Sequence, residues 1–134
     1  MYRKRQKYIE KLHEDLVEES LWDCFVAFQG VLFHTTSGLP FKYTIKVGRT
    51  GEYTKELLVD RREESKTLAW SSVVLAFKNA IVYEGIVPKP KALGDIRGIS
   101  YIYPVFYRFG LIQVPDKIKK QLDGKNPKKS RNGT

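Results

Sequence analysis

The sequence of 134 residues predicts an α+β domain, and three observations predict it. Residues 41–47 alternate strictly, with Phe41, Tyr43, Ile45 and Val47 on one side and Lys42, Thr44 and Lys46 on the other, the period of a half-buried strand. Residues 65–83 run beyond strand length without Gly or Pro and carry the wide apolar face of a mostly buried helix. Residues 5–21 repeat apolar side chains at three- and four-residue steps, the pattern of an amphipathic helix. Together they imply a three-stranded antiparallel meander packed on a central apolar helix, with an N-terminal amphipathic helix and a short C-terminal aromatic helix.

Taken in order, the first helix rests on Tyr8, Ile9, Leu12, Leu16 and Val17. Its basic residues come first and its acidic residues last, against the sense of the helix macrodipole. Pairing of Lys4, Lys7 and Lys11 with Glu14, Asp15 and Glu18 would offset part of that conflict. Residues 25–36 are rich in aromatic and β-branched types and read as the first strand, and residues 37–40 (SGLP) as the turn into 41–47. Residues 48–51 (GRTG) form a second turn, and 55–61 the third strand. Ser65 or Thr67 would cap the central helix, whose core face is Trp70, Val73, Val74, Phe77, Ala80 and Ile81, and Gly85 would end it. Prolines and glycines make residues 87–98 a loop. Residues 100–110 read as a short helix with Pro104 in its first turn and Gly110 at its end. Residues 116–122 have room for one or two helical turns, and 124–134 carry a composition expected to be disordered. The division is therefore an N-terminal helix at 1–22, an α+β core at 23–114 and a basic tail at 115–134.

The formal charge of +9 is unevenly spread. Residues 1–11 hold five basic groups against Glu10, a net of +4, and residues 115–134 hold seven against Asp116 and Asp123, a net of +5. The middle sums to zero, because an acidic block at 12–23 offsets the basic remainder. Clustered cations at both ends suit a polyanion, whose counterions they would release. No apolar run approaches the roughly 18 residues of a spanning helix, and the basic start leads into an acidic amphipathic segment and not an apolar signal core. A cytoplasmic protein without membrane contact is the expectation. A single cysteine, Cys24, excludes an internal disulfide and, alone, a thiolate zinc site.

Few constellations suggest catalysis. Asp60, Glu64 and Lys66 have the residue types of a metal-dependent nuclease, two carboxylates for Mg²⁺ and a lysine for water. In those enzymes the acid and the Glu-x-Lys sit on neighbouring strands, whereas here they fall at an expected strand-to-helix junction, so Asp60, Glu63 and Glu64 better suit the positive start of the helix expected at 65. His13 and His34 have no second histidine or cysteine at metal-ligand spacing, and Cys24 reads as a small core residue. Residues 94–98 (GDIRG) match no nucleotide-binding loop, yet Arg97 and Ser100 at a helix start, with Lys89 and Lys91 before them, offer phosphate contacts. Tyr101, Tyr103, Phe106, Tyr107 and Phe109, interleaved with Arg108, fit core packing by their spacing, and base stacking by their chemistry. A helix-turn-helix over 67–110 is disfavoured by the long loop and the aromatic second helix.

The stretches FVAFQGVLFHTTSGLPFKYTIKV, LLVDRREESKTLAWSSVVLAFKNAI and PKALGDIRGISYIYPVFYRFGLI resemble small uncharacterised proteins of Gram-positive bacteria and their mobile elements, over residues 21–112. The resemblance implies a bacterial or phage origin and carries no activity, cofactor or catalytic residue. The leading expectation is a non-catalytic accessory protein that binds DNA or RNA phosphates. Its contacts would be Arg3, Lys4, Arg5, Lys119, Lys120, Lys128 and Lys129 at the ends, Lys89, Lys91 and Arg97 in the loop, and Lys42 and Lys46 on the sheet. The alternative is a protein-interaction or inhibitor module that docks through the acidic end of the first helix, and third comes the nuclease. No cofactor or metal is expected.

Overall fold

In the computed structural model, which describes residues 2–61 and 65–124 and only the backbone of Tyr2 and Arg3, two helices share the N-terminal periodicity. α1 spans Tyr2–Glu14 and α2 spans Glu18–Ala27. The break relieves part of the dipole conflict of a single helix over 5–21, although α1 still begins with Arg3, Lys4 and Arg5 and no acid in its first turn. Lys11 and His13 now occupy the last turn of α1, and Glu18 and Glu19 the first turn of α2, each beside a helix end of opposite sign. Nor does a strand begin at Phe25. Leu21, Cys24, Phe25 and Phe28 recur at helical spacing and are all buried, so α2 continues through Ala27 and turns them onto the core.

Four strands, not three, form one antiparallel sheet in sequence order: β1 (Phe33–His34), β2 (Pro40–Val47), β3 (Tyr53–Arg61) and β4 (Ser65–Ala69). β4 is made from residues expected to begin the central helix. Leu57 and Val59 of β3 are fully buried, and the strand's second edge needs partners for its backbone groups in that apolar setting. β4 supplies them, with Leu57 opposite Leu68 and Val59 opposite Lys66. The central helix, α3, therefore runs only over Trp70–Ile81. Its N-cap is Ala69, without a side-chain cap, so Ser65 and Thr67 do not cap it, and Gly85 lies in the loop beyond its C-cap Val82. Asp60 belongs to β3 and not to a helix start, while Glu63 and Glu64 lie outside the described residues.

A 3-10 turn at Pro90–Leu93 leads to α4 (Ile99–Arg108), followed by α5 (Asp116–Leu122). Pro104 sits at the sixth position of α4, beyond its first turn. Its missing N–H leaves only the carbonyl of Ser100, at the exposed start of the helix, without an intrahelical partner. Tyr103 and Phe106 are fully buried, and α4 closes the core as an aromatic helix.

The inner face of the sheet, including Phe41, Tyr43, Ile45, Leu57, Val59 and Leu68, is buried beneath α2, α3 and α4. Lys42, Thr44 and Lys46 stand on the open face. Leu12 of α1 and Leu122 of α5 join the same cluster, so the helices at both ends pack on one core. Each fully buried Leu or Phe contributes about 1.5–3 kcal/mol.

Gly98 fixes how closely α4 approaches the sheet. Its φ of +82° is left-handed, and a Cβ added there would run into Leu68 Cδ1 of β4. Gly51 has a similar φ of +88° but nothing within 4 Å of the added carbon. Gly98→Ala is expected to lower unfolding stability by about 2–3 kcal/mol and Gly51→Ala by about 1 kcal/mol. Urea denaturation of the two variants checks the difference, and equal losses would deny the Gly98–Leu68 constraint.

Candidate nucleic-acid interface

The basic residues singled out from sequence fall into three separate places. On the open sheet face, Lys42 and Lys46 stand two residues apart, as alternation requires, but acids oppose them. Lys46 Nζ lies 3.4 Å from Glu56 Oε1, and Lys42 is the register partner of Asp60. The first pair is about half exposed and adds little stability, and it sets a negative charge beside Lys46 on this face.

The second place is the loop before α4. Lys89, Lys91 and Arg97 are all exposed around the 3-10 turn. Asn79 of α3 donates from Nδ2 to the Leu93 carbonyl at 2.7 Å and holds that turn against the helical layer. Arg97 faces β4 and lines a cleft with Lys66 and Ser72.

The third place brings the start of α1 to the end of α4. Arg5 donates from Nε to the Ala27 carbonyl at 3.0 Å, and its guanidinium lies 5.9 Å from the centroid of the Phe28 ring. Arg108, the last residue of α4, lies 5.3 Å from the same centroid. The two cations are thus no farther apart than the sum of those distances. Lys4 lines an open groove of about 360 Å³ beside Arg5. Arg108 also lines a second cleft, of about 450 Å³, with His34, Tyr107 and Asp123. Tyr107 donates its hydroxyl to the Asp123 carboxylate at 3.0 Å, joining α4 to the end of α5. Lys119 and Lys120 are exposed on α5, Lys119 3.6 Å from Asp116. The side chain of Arg3 and the whole of Lys128 and Lys129 lie outside the described residues.

Arg108 enters the sequence reading only as the cation among the α4 aromatics. The signal that singles it out is its position at the helix end, two residues past the buried Phe106 and on the exposed side. The aromatics themselves are engaged. Tyr103, Phe106 and Phe109 are buried, Tyr101 accepts a hydrogen bond from Arg61 at 2.7 Å, and Tyr107 is held by Asp123.

Elsewhere, Asp60 and Lys66 do sit on neighbouring strands, but they point to opposite sheet faces, because Asp60 pairs with Ser65 and Lys66 with Val59. Glu64 lies outside the described residues, among which no three metal-ligating side chains cluster. His13 donates from Nε2 to the Phe109 carbonyl at 2.8 Å, and Glu18 accepts from Trp70 Nε1 at 2.9 Å. Both are thereby tied into the fold, and the acidic start of α2 has lost one of its free carboxylates. No helix among the described residues is long and apolar enough to cross a membrane. No protein-family model, curated protein or solved structure matches the chain.

Burial pushes the Cys24 thiol up to about 12, helped by the negative charge of Asp23. Burial also raises Tyr103 to about 12, and raises Tyr107 together with its bond to Asp123. A thiol whose folded value is raised from 9.0 to about 12 favours the folded state below pH 9. That contribution declines as pH rises from 9 toward 12, since the unfolded chain ionises first. Native Cys24 is expected to resist a disulfide reagent at pH 8 and to react fully in urea. The loss of stability between pH 8 and pH 10.5 should be smaller in Cys24→Ala, and equal losses would refute this linkage.

Proposed function

We propose that this chain is a non-catalytic accessory protein that binds DNA or RNA through phosphate contacts, at its basic ends and at the surface where Arg5 and Arg108 meet. The convergence of Arg5 and Arg108 on Phe28 carries the reading. It sets the basic start of α1 beside the helix end from which the chain passes to α5 and the basic residues after Gly124. Lys4, Arg5, Arg108, Lys119 and Lys120 are the described residues of that proposed surface, with the 89–97 loop as a separate basic patch. No fork of paired donors aimed at base edges occurs among them, so binding would depend on backbone charge and show little sequence preference. A bacterial or mobile-element origin rests on the resemblance of the three stretches in residues 21–112, and a cytoplasmic location goes with it.

The fold dictates how this is tested. Leu122 is part of the core, so a truncation must begin after Gly124. Removing residues 125–134 takes away Lys125, Lys128, Lys129 and Arg131. The slope of log affinity against log salt should fall in magnitude by up to about 3–4 on a short duplex. Lys4→Gln with Arg108→Gln should reduce it by a further about 1–2. Fluorescence anisotropy between about 50 and 200 mM salt measures both, and binding that is absent, or indifferent to salt, defeats the proposal.

A further inference from the structure

We infer that the free edge of β4 is a docking site for an extended acidic peptide of a partner protein, which adds to the sheet as a fifth strand. This does not depend on nucleic-acid binding at the chain ends. The two edges of the sheet are treated differently. β1 is two residues long and is flanked by α5, whose following Gly124 sits against the His34 ring. β4 is five residues long, and no strand pairs with its outer side among the described residues. An edge of this kind presents a row of N–H and C=O groups to any chain that can lie along it.

There is room for one. A cleft of about 400 Å³ is lined by every residue of β4 together with Ser72 of α3 and Arg97. Five residues of strand extend about 16 Å, enough to pair with four or five residues of a partner. Arg97 forms one side of the cleft, next to Gly98, which packs so closely on Leu68 that a Cβ there would collide with it.

The lining selects the charge of the partner. Lys66 and Arg97 are exposed, and among the described residues neither makes an ion pair and no Asp or Glu lines the cleft. The hydroxyls of Ser65, Thr67 and Ser72 add donors. An extended segment with Glu or Asp at alternate positions would meet these cations while its backbone completes the ladder. A second copy of this chain is a poorer occupant, since pairing β4 with β4 brings two Lys66 and two Arg97 together.

The probe is a fluorescein-labelled peptide of seven residues, Thr-Glu-Val-Glu-Val-Glu-Thr, titrated with the full chain. Saturable binding is expected, at least about tenfold weaker when Lys replaces each Glu, and weakened to a similar degree by Lys66→Glu with Arg97→Glu. The same peptide N-methylated at alternate residues keeps its charge and loses its ladder hydrogen bonds, and it should also bind at least about tenfold more weakly. That arm leaves the protein unaltered, so it stands even if the charge reversal harms folding. No binding up to about 1 mM, equal binding of the N-methylated peptide, displacement by a short single-stranded oligonucleotide, or a doubling of mass in sedimentation that excludes the peptide would each overturn the inference.

Discussion

The C-terminal end of α2 stops inside the protein, and the carbonyls of its last turn must be satisfied there. Phe28 N–H reaches Cys24, and three side chains complete the turn. Tyr43 of β2 donates its buried hydroxyl to Phe25 at 2.6 Å, Gln29 donates to Val26 at 3.2 Å, and Arg5 of α1 donates to Ala27 at 3.0 Å. Gln29 also accepts from Ile45 N–H at 2.7 Å. One helix end thereby ties α1 and β2 to α2. The Phe25 ring extends the junction, with Tyr43, Trp70 and Phe109 centroids between 5.3 and 5.4 Å away. Each of these hydrogen bonds contributes about 1 kcal/mol net, whereas a buried carbonyl left unpaired would cost about 1–3 kcal/mol. The geometry is enforced more by that penalty than by the bonds themselves.

This junction explains which parts of the fold the sequence reveals. Strand β2 is legible because one face is buried and the other wet, so period two survives in its residue types. The run 25–28 misleads, since aromatic and β-branched content suits a strand while the spacing of Leu21, Cys24, Phe25 and Phe28 suits a helix. Burial against the sheet decides for the helix. Residues 65–69 mislead in the opposite direction. Nothing local forbids a helix there, and it is the unpaired edge of β3, a non-local demand, that draws them into β4. The acidic block at 12–23 held part of its own correction, because Glu18 and Glu19 oppose the end of one long helix but suit the start of a second.

The candidate site divides in the same way. That both ends are basic is plain from the residue order, and that Lys42 and Lys46 share a face follows from alternation. That Glu56 and Asp60 oppose those lysines depends on the register of β2 against β3, which side-chain period alone does not specify. Neither does composition reveal that Arg5 and Arg108, from distant parts of the chain, meet on one ring. Arg5 is there for a structural reason, as the donor to Ala27, and its charge at the surface is a consequence of closing α2.

The sheet edges extend this economy of parts. α5 lies against β1, with Leu122 in the core and Gly124 close enough to His34 that any side chain there would collide with the ring. The basic segment at the C-terminus therefore blocks one edge while bringing Lys119 and Lys120 to the surface. β4 has no such cover among the described residues: α3 leaves its end, and the turn into α4 approaches only as far as Gly98 permits, with Arg97 beside the strand. An edge guarded by one lysine and one arginine disfavours pairing with its own copies by charge repulsion while leaving the ladder accessible to a chain of opposite sign. Charge thus separates two possible contacts on one small domain. Under the two proposals, phosphates would meet cations held on helix ends, and an acidic strand would meet cations held beside the edge of β4.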